Sequence, residues 1–411
     1  MVPKGWSHTT LGKVMAFKNG LNFTKADVGE EIKIVGVSDF KDLSELRSTD
    51  RLESVNVASN IKDDELLTDG DLLFVRSNGN KDLIGRCLFF PEVKERLSFS
   101  GFTIRGRVDK KNILPQYIAF VARSSFFKSQ ISQYGGGTNI SNLSQQILND
   151  IALPLPPHHE QKKIVQILSS WDRAINITEQ LLANSQQQKK ALMQQLLTGK
   201  KRLLDKNGVR FSGEWKKVRL GTVADMNSGG TPKSNIEEYY GGNIPWVSIA
   251  DMTKQGKWIS STEKNLTELG LDNSSARIYP KNSVLYAMYA SIGECSIAQV
   301  PLSSSQAILG IRPKPELNFE FLYFFLTSLK EEIKLQGQQG TQSNLNAGMV
   351  KDFLLNLPEM EEQKKIATVL STADQEITAL QQKLDALKRE KKALMQQLLT
   401  GKRRVKVEEA A

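Results

Sequence analysis

A twelve-residue string, KKALMQQLLTGK, occurs twice without a change, at positions 189–200 and 391–402. The copies lie 202 residues apart in a chain of 411. Self-similarity at a fixed offset marks a tandem duplication, so both halves are expected to take one fold and to be related by a pseudo-two-fold axis. The offset holds upstream. Glu160-Gln161-Lys162-Lys163-Ile164 matches Glu362-Gln363-Lys364-Lys365-Ile366, and Asp150, Leu153 and Pro156 match Asp352, Leu355 and Pro358. Looser echoes reach further: Gly137-Thr138 and Asn142-Leu143 against Gly340-Thr341 and Asn344-Leu345, Gly85-Arg86-Cys87 against Gly293-Glu294-Cys295, and Trp6 with Leu11-Gly12 against Trp215 with Leu220-Gly221. Each half is a variable head (1–156 and 203–358) followed by a matched segment (157–202 and 359–404), with a tail at 405–411.

The matched segments read as long helices. Apolar residues step by four and three through Ile164, Leu168, Trp171, Ile175, Leu182, Leu192 and Leu196, with weak places at Thr178, Ser185 and Lys189. The second copy is cleaner: Ile366, Leu370, Ala373, Ile377, Leu380, Leu384, Leu387, Leu394 and Leu398, interrupted at Lys391. A 3.5-residue repeat is the pattern of a coiled-coil seam. Proline precedes each run, acidic residues occupy each first turn, and Gly199 or Gly401 stands as a C-terminal stop. About 40 residues at 1.5 Å rise make a rod of about 60 Å. The helices can serve as bundle core or homodimer zipper, or pack on each other within one chain. In the second case a two-fold axis perpendicular to the rods makes the pair antiparallel and holds the heads at opposite ends. The polar seam positions then set register at some cost in stability.

The heads read as mixed α/β. Apolar runs at 32–37, 71–76, 85–90 and 102–108 predict strands, and 115–129 predicts an amphipathic helix. In the second head the counterparts are strands at 244–249, 283–289 and 295–300 and a helix at 319–335. The fold class expected is therefore α+β: two tandem heads, each followed by a long helix.

The net charge of +10 is unevenly placed. The heads carry 20 basic against 18 acidic residues (1–156) and 16 against 15 (203–358), whereas the segment 157–202 carries 8 against 3. Whole-head charge alone does not mark a nucleic-acid binder. A duplicated surface does suit a roughly symmetric polymer such as DNA. No apolar run is long enough to span a bilayer, and MVPKGWSHTT lacks the apolar core of a signal peptide, so a cytoplasmic location is expected. Cys87 and Cys295 sit at equivalent places and read as buried strand residues.

Catalytic signatures are missing from the sequence. There is no phosphate loop of the Gly-x-x-x-x-Gly-Lys-Ser/Thr type and no glycine fingerprint for a nucleotide cofactor. Asn243-Ile244-Pro245-Trp246 lacks the first proline of an amino-methyltransferase motif and reads as the start of a strand. His158 and His159 are replaced by Met360 and Glu361 in the second copy, and no metal-ligand spacing occurs. Gly229-Gly230-Thr231-Pro232 and Gly135-Gly136-Gly137-Thr138 are short glycine loops: plain turns, or backbone cradles for phosphate.

Ser228-Gly229-Gly230-Thr231-Pro232-Lys233, then Tyr239-Tyr240-Gly241-Gly242-Asn243-Ile244-Pro245-Trp246-Val247-Ser248-Ile249-Ala250-Asp251-Met252, resembles the target-recognition domain of type I restriction-modification specificity subunits. So does the ending Glu-Gln-Lys-Lys-Ile, after Pro157 and Pro358, with its long helix closing in Leu-Leu-Thr-Gly-Lys. The resemblance covers essentially the whole chain. It implies a non-catalytic subunit with two target-recognition domains, each reading one half of a bipartite double-stranded DNA site, largely through the major groove. It implies an antiparallel coiled coil that sets the gap between half-sites. The partners implied are two methyltransferase subunits, which bind S-adenosylmethionine and flip adenine, and two ATP- and Mg-dependent restriction (translocase-nuclease) subunits. No cofactor is expected on this chain. The first head departs from the pattern; its Val35-Gly36-Val37-Ser38-Asp39 is the counterpart expected for Val247-Ser248-Ile249-Ala250-Asp251. Two rivals stand beside this reading: a protein-only coiled-coil adaptor, and a self-sufficient DNA methyltransferase or nuclease.

Base reading needs side chains with paired hydrogen-bonding groups. The candidates in the first head are Arg76, Ser77, Asn78, Asn80 and Lys81 in a polar turn, Arg105 and Arg107 alternating on a strand, and Tyr134 and Asn139 flanking the triple glycine. In the second head they are Lys233, Lys254, Lys257, Tyr289, Ser291 and Gln342. Trp246 and Asp251 read as structural.

Overall fold

The computed structural model describes residues 3–24, 27–40, 43–57, 61–134, 142–289, 291–338 and 345–406. Its contacts divide the chain into two units: residues 1–179 with 382–411, and residues 180–381. The division cuts through both long helices, His158–Leu196 and Met360–Leu399. Each unit therefore holds one head, part of one helix and part of the other. Head-and-rod boundaries drawn along the sequence do not express this grouping.

In the first unit, Leu72–Val75 is buried on both faces, as a run of Leu, Leu, Phe and Val at the centre of a sheet must be. It sits in a four-stranded antiparallel sheet ordered Met15–Asn19, Thr103–Val108, Leu72–Val75, Cys87–Phe89. A three-stranded sheet is ordered Glu53–Val57, Glu30–Val35, Leu97–Phe99, the last pair parallel. Ser7–Thr10 pairs antiparallel with Ala152–Leu155, tying the start of the head to its end.

The second unit repeats the order. Its sheets are Ala224–Ser228, Ile308–Pro313, Val284–Ala287, Cys295–Ala298 with Trp258–Ile259 added at the edge, then Lys264–Leu266, Tyr240–Val247, Ser303–Ser304, and the pair Lys216–Arg219 with Leu354–Leu357. The Val35 carbonyl accepts the Ser100 amide at 3.0 Å and the Val247 carbonyl accepts the Ser305 amide at 2.9 Å. In the turns that follow, Gly36 N–H donates to Asp39 at 2.8 Å and Ser248 N–H to Asp251 at 2.9 Å. The two segments paired in the sequence are thus the same turn.

Each helix expected in a head is broken in two. The 115–129 segment forms Pro115–Ala122 and Ser125–Tyr134, and 319–335 forms Phe319–Ser328 and Lys330–Gln338. At the first break the Ser124 hydroxyl donates to the Val121 carbonyl at 2.6 Å and accepts the Phe127 amide at 3.2 Å, ending one helix and capping the next. Apolar periodicity does not register such a local exchange.

Phe74 and Tyr286 occupy the same place in the two sheets, both fully buried. Among the described residues the Tyr286 hydroxyl has no hydrogen-bond partner. A buried hydroxyl without a partner costs about 1–3 kcal/mol. Tyr286→Phe is therefore expected to leave the melting temperature unchanged or raised. A drop of several degrees in calorimetry would show that the hydroxyl is satisfied.

The duplicated Glu-Gln pair explains itself once packed. Gln161 accepts the Leu114 amide and donates to the Asn112 and Pro156 carbonyls at 2.9, 3.2 and 3.0 Å. Gln363 does the same with Asn318, Glu316 and Pro358 at 2.8, 2.9 and 2.9 Å. Glu362 accepts Arg202 at 2.6 and 2.7 Å and the Trp215 indole at 2.9 Å. Glu160 takes Arg404 and, at 3.1 Å, the Trp6 indole. Each arginine follows a helix stopped by a glycine in the left-handed region, Gly199 at φ 72° and Gly401 at φ 73°.

The stripe of apolar residues on the long helices does not form a plain two-helix seam. Ile164, Leu168 and Leu398 belong to the first head's core, and Leu196, Ile366 and Leu370 to the second's. The helix ends are thus clad by their heads. Leu182 and Leu384 are buried, and Trp171, Ile175, Leu192, Ile377, Leu380, Leu387 and Leu394 are partly or wholly covered. The lysines that break the stripe are paired: Lys391 with Asp172 in the first unit and Lys189 with Asp374 in the second. They lie 5.8 Å from the Phe120 ring centre and 5.7 Å from that of Phe324. The first lysine of the invariant string therefore joins two helix segments to a head.

Candidate nucleic-acid interface

In the first unit the turn after Leu72–Val75 forms a polar rim. Arg76 and Ser77 amides both donate to the Phe102 carbonyl, at 2.8 and 3.4 Å, and the Arg76 guanidinium reaches the Gly101 carbonyl at 3.5 Å. The Asn78 side-chain oxygen accepts the Asn80 amide at 2.8 Å, and the Asn80 oxygen accepts that of Asp82 at 3.0 Å. These bonds hold the turn's shape while Asn80 and Lys81 remain exposed. The Leu143 amide donates to the Arg76 carbonyl at 2.8 Å, so the Asn142-Leu143 echo meets the polar turn. Tyr134 is exposed, its hydroxyl 3.3 Å from the Asp150 carbonyl. Asn139 and the triple glycine lie outside the described residues.

The second unit builds the same rim from different side chains. The Met288 amide donates to the Ala307 carbonyl at 2.9 Å, and the Leu345 amide to the Met288 carbonyl at 3.1 Å. Tyr289 and Ser291 are exposed on it. Lys233 and Lys254 are exposed elsewhere on the head, and Gln342 lies outside the described residues.

Three candidates are committed to the protein itself. Arg105 is buried, with its guanidinium on the Asp64 and Leu66 carbonyls at 2.6 and 3.1 Å and 5.7 Å from the Phe99 ring centre. Burial, then the neighbouring Arg107, lowers its pKa. Arg107 pairs with the buried Asp71 at 2.9 and 2.7 Å, and that pairing raises its pKa. The two arginines share a strand face, as their spacing requires, but the 63–71 segment covers that face. Lys257 pairs with Glu320 and Ser371, both at 2.7 Å, with three aromatic rings, Trp258, Tyr323 and Phe324, within 5.3 Å. Its distant partners in sequence hid this role.

The Gly229-Gly230 loop is a close approach of backbones. The Gly229 and Gly230 amides are spent on the Ile308 and Ser304 carbonyls at 3.0 and 2.9 Å, so they cannot cradle phosphate. A Cβ at Gly229 would lie 2.2 Å from the Ser304 oxygen, and one at Gly230 2.1 Å from the Ala276 nitrogen. Gly20 is the first head's equivalent, 2.2 Å from the Ser100 oxygen by the same measure. The sequence reading missed it, although the spacing that pairs Trp6 with Trp215 also pairs Gly20 with Gly229. Trp246 donates to the Gly230 carbonyl at 2.9 Å, and the Asp251 carboxylate accepts the Ser248 amide to complete the capping box of helix Ile249–Gln255; both roles are structural.

Among the described residues no three His, Cys, Asp or Glu side chains are grouped to hold a metal ion. Cys87 and Cys295 are buried, and burial raises both thiol pKa values, that of Cys87 to about 12. No described helix is long and apolar enough to cross a membrane.

Residues 3–184 and 212–389 each match the family model for the type I restriction modification DNA specificity domain. A provisionally named type I restriction enzyme MjaX specificity subunit from Methanocaldococcus jannaschii is 26% identical across 98% of this chain and 95% of its own length. The MjaIX specificity subunit of the same organism is 34% identical over 39% of this chain and 38% of its own. The EcoR124I/EcoR124II specificity subunit of Escherichia coli is 27% identical over 57% of each chain. Among solved structures, a chain described with the complex assembly and conformational transition of the type I R-M system aligns over 98% of this chain and 99% of its own, with a TM-score of 0.60 and 21% identity. The HsdS subunit from Thermoanaerobacter tengcongensis aligns over 97% and 98%, with a TM-score of 0.52 and 20% identity. These two share the fold.

Proposed function

Since this chain belongs to the type I restriction-modification DNA specificity family and is the non-catalytic DNA-recognition subunit of such a system, we propose that each head reads one half of a bipartite double-stranded site. The observation that carries the reading is the repeated rim. Equivalent backbone bonds at Arg76–Phe102–Leu143 and Met288–Ala307–Leu345 hold different side chains, polar Arg76, Ser77, Asn78 and Asn80 in one head, Tyr289 and Ser291 in the other. One frame with two surfaces is what two different half-sites require.

The long helices form an antiparallel coiled coil in this proposal. Support comes from pairs within each unit: Asp172 with Lys391 and Glu179 with Lys388 in the first, Ser185 with Glu376 and Asp374 with Lys189 in the second, the sequence numbers running in opposite directions. Two methyltransferase subunits and two restriction-translocase subunits complete the assembly in the cytoplasm. S-adenosylmethionine, ATP and Mg belong to those partners.

The test is footprinting of the chain with its methyltransferase partner. Two protected patches about one helical turn apart are expected, and no protection would favour a protein-only adaptor. Methyl transfer to DNA by the chain alone would refute the non-catalytic reading. Four residues inserted near Leu182 are expected to change the gap between the half-sites and leave both half-sites unaltered.

A further inference from the structure

Among the described residues, the paired turns that follow the two central strands each carry an exposed aromatic side chain, but from different strands. In the first head it is Phe102, 64% exposed, at the turn entering Thr103–Val108; the equivalent residue of the second head is Ala307. In the second head it is Tyr289, 39% exposed; the equivalent residue of the first is Ser77. Neither aromatic is needed by its turn, because the bond common to both, Arg76 to Phe102 and Met288 to Ala307, forms with a small residue at the equivalent place in the other head.

The Phe102 turn is held by backbone bonds on both sides. Phe102 lies between Gly101, whose amide donates to the Leu21 carbonyl at 2.7 Å, and Thr103, whose amide donates to the Ser100 carbonyl at 2.9 Å. A Cβ at Gly101 would sit 2.0 Å from the Asn22 side-chain oxygen, so the turn is clamped from both sides. The Phe102 carbonyl itself receives Arg76 and Ser77. A mostly exposed phenylalanine forfeits much of the about 1.5–3 kcal/mol that burying it would contribute, and here its backbone is tied to Arg76, which opens the polar turn holding Asn78 and Asn80. Single exposed apolar residues are ordinary, and Tyr134 and Trp258 are exposed as well; what sets Phe102 and Tyr289 apart is that they stand on equivalent turns of the two heads, reached by different routes.

We propose that Phe102 and Tyr289 are specificity-determining residues, each making the aromatic contact to a base in its own half-site. This rests on the reading of the heads as half-site readers. The thymine methyl is the apolar group of the major groove, and aromatic rings also enter base steps as wedges. The aromatic contact thus supplies what the hydrogen-bonding side chains beside it cannot.

The experiment maps methylated sites for the full chain assembled with its methyltransferase partner, as wild type, Phe102→Ala and Tyr289→Ala, with thermal unfolding of each. Exposed positions are expected to leave unfolding unchanged. Phe102→Ala is expected to lower discrimination five-fold or more at one position of one half-site, and Tyr289→Ala to do so in the other half-site only. Phe102→Leu, which keeps an apolar side chain, is expected to retain part of the discrimination. Unchanged motifs in both alanine variants, or equal weakening of both half-sites by either, overturn the proposal. A wild-type complex with no bipartite motif overturns the half-site reading as well, and is distinguished by appearing before any substitution is made.

Discussion

Glu362→Ala is expected to destabilise the second unit by about 3 kcal/mol, the lower end for removing one partner of a buried ion pair. The Glu362 carboxylate is 2% exposed, while Arg202 keeps 21% of its side chain in solvent, which moderates the loss. Without the carboxylate, the guanidinium retains only its bond to the Gly213 carbonyl at 2.9 Å and its place 5.5 Å from the Trp215 ring centre. The indole N–H loses its acceptor outright. Urea unfolding checks the value, and Glu362→Leu with Arg202→Met is expected to recover much of it, because no uncompensated charge is left. A loss under 1 kcal/mol in the single variant would mean that solvent reaches the pair.

Acid is expected to act on the first unit in the same way. Burial drives the Glu160 carboxyl up, but hydrogen bonds from Arg404 and Trp6 and the charge of Arg404 outweigh it, so its folded pKa lies below the usual value. A depressed carboxylate contributes stability that is full above its unfolded pKa of about 4.3 and lost as pH falls through the folded value. Unfolding followed between neutral pH and below 4 should show this decline, and Glu160→Gln should flatten it.

Exchange of residues 1–150 for the head of another family member is expected to replace one half-site entirely and leave the other intact. The structure explains why a foreign head should seat. Gln161 binds only backbone atoms of the head, at Asn112 and Leu114, and the Ala152–Leu155 strand pairs with Ser7–Thr10 through backbone bonds. The head's side-chain contribution to the charged anchor is the Trp6 indole on Glu160. A head that supplies a tryptophan there and apolar residues against Ile164 and Leu168 meets the same helix surface. Methylation mapping of the chimaera reads the outcome, and a change in both half-sites would refute independent heads.

Much of this was legible before folding. An offset of 202 exposed the duplication, and the resemblance carried by the Gly-Gly-Thr-Pro and Glu-Gln-Lys-Lys-Ile segments pointed to the family that the comparisons show. The candidate interface was legible only in part. Arg76 and Asn80 lie in the polar turn where the sequence placed them, but Arg105, Arg107 and Lys257 are consumed by partners 36 to 114 residues away in sequence. Phe102 passed as a strand residue.

Local pattern and repetition determined that the chain is built twice, that its matched segments are helices with glycine stops, and that the heads are α+β, because these follow from periodicity and backbone preference within a few turns. Alternation on a strand says that Arg105 and Arg107 share a face; it cannot say which face another segment covers. Tertiary packing alone decided that, as it decided that the helix ends belong to the head cores, that Glu160 and Glu362 each gather an arginine and a tryptophan, and that Phe102 and Tyr289 stand uncovered. Those outcomes depend on which distant segments exclude water from a side chain, a property of the packed chain and not of its neighbours in sequence.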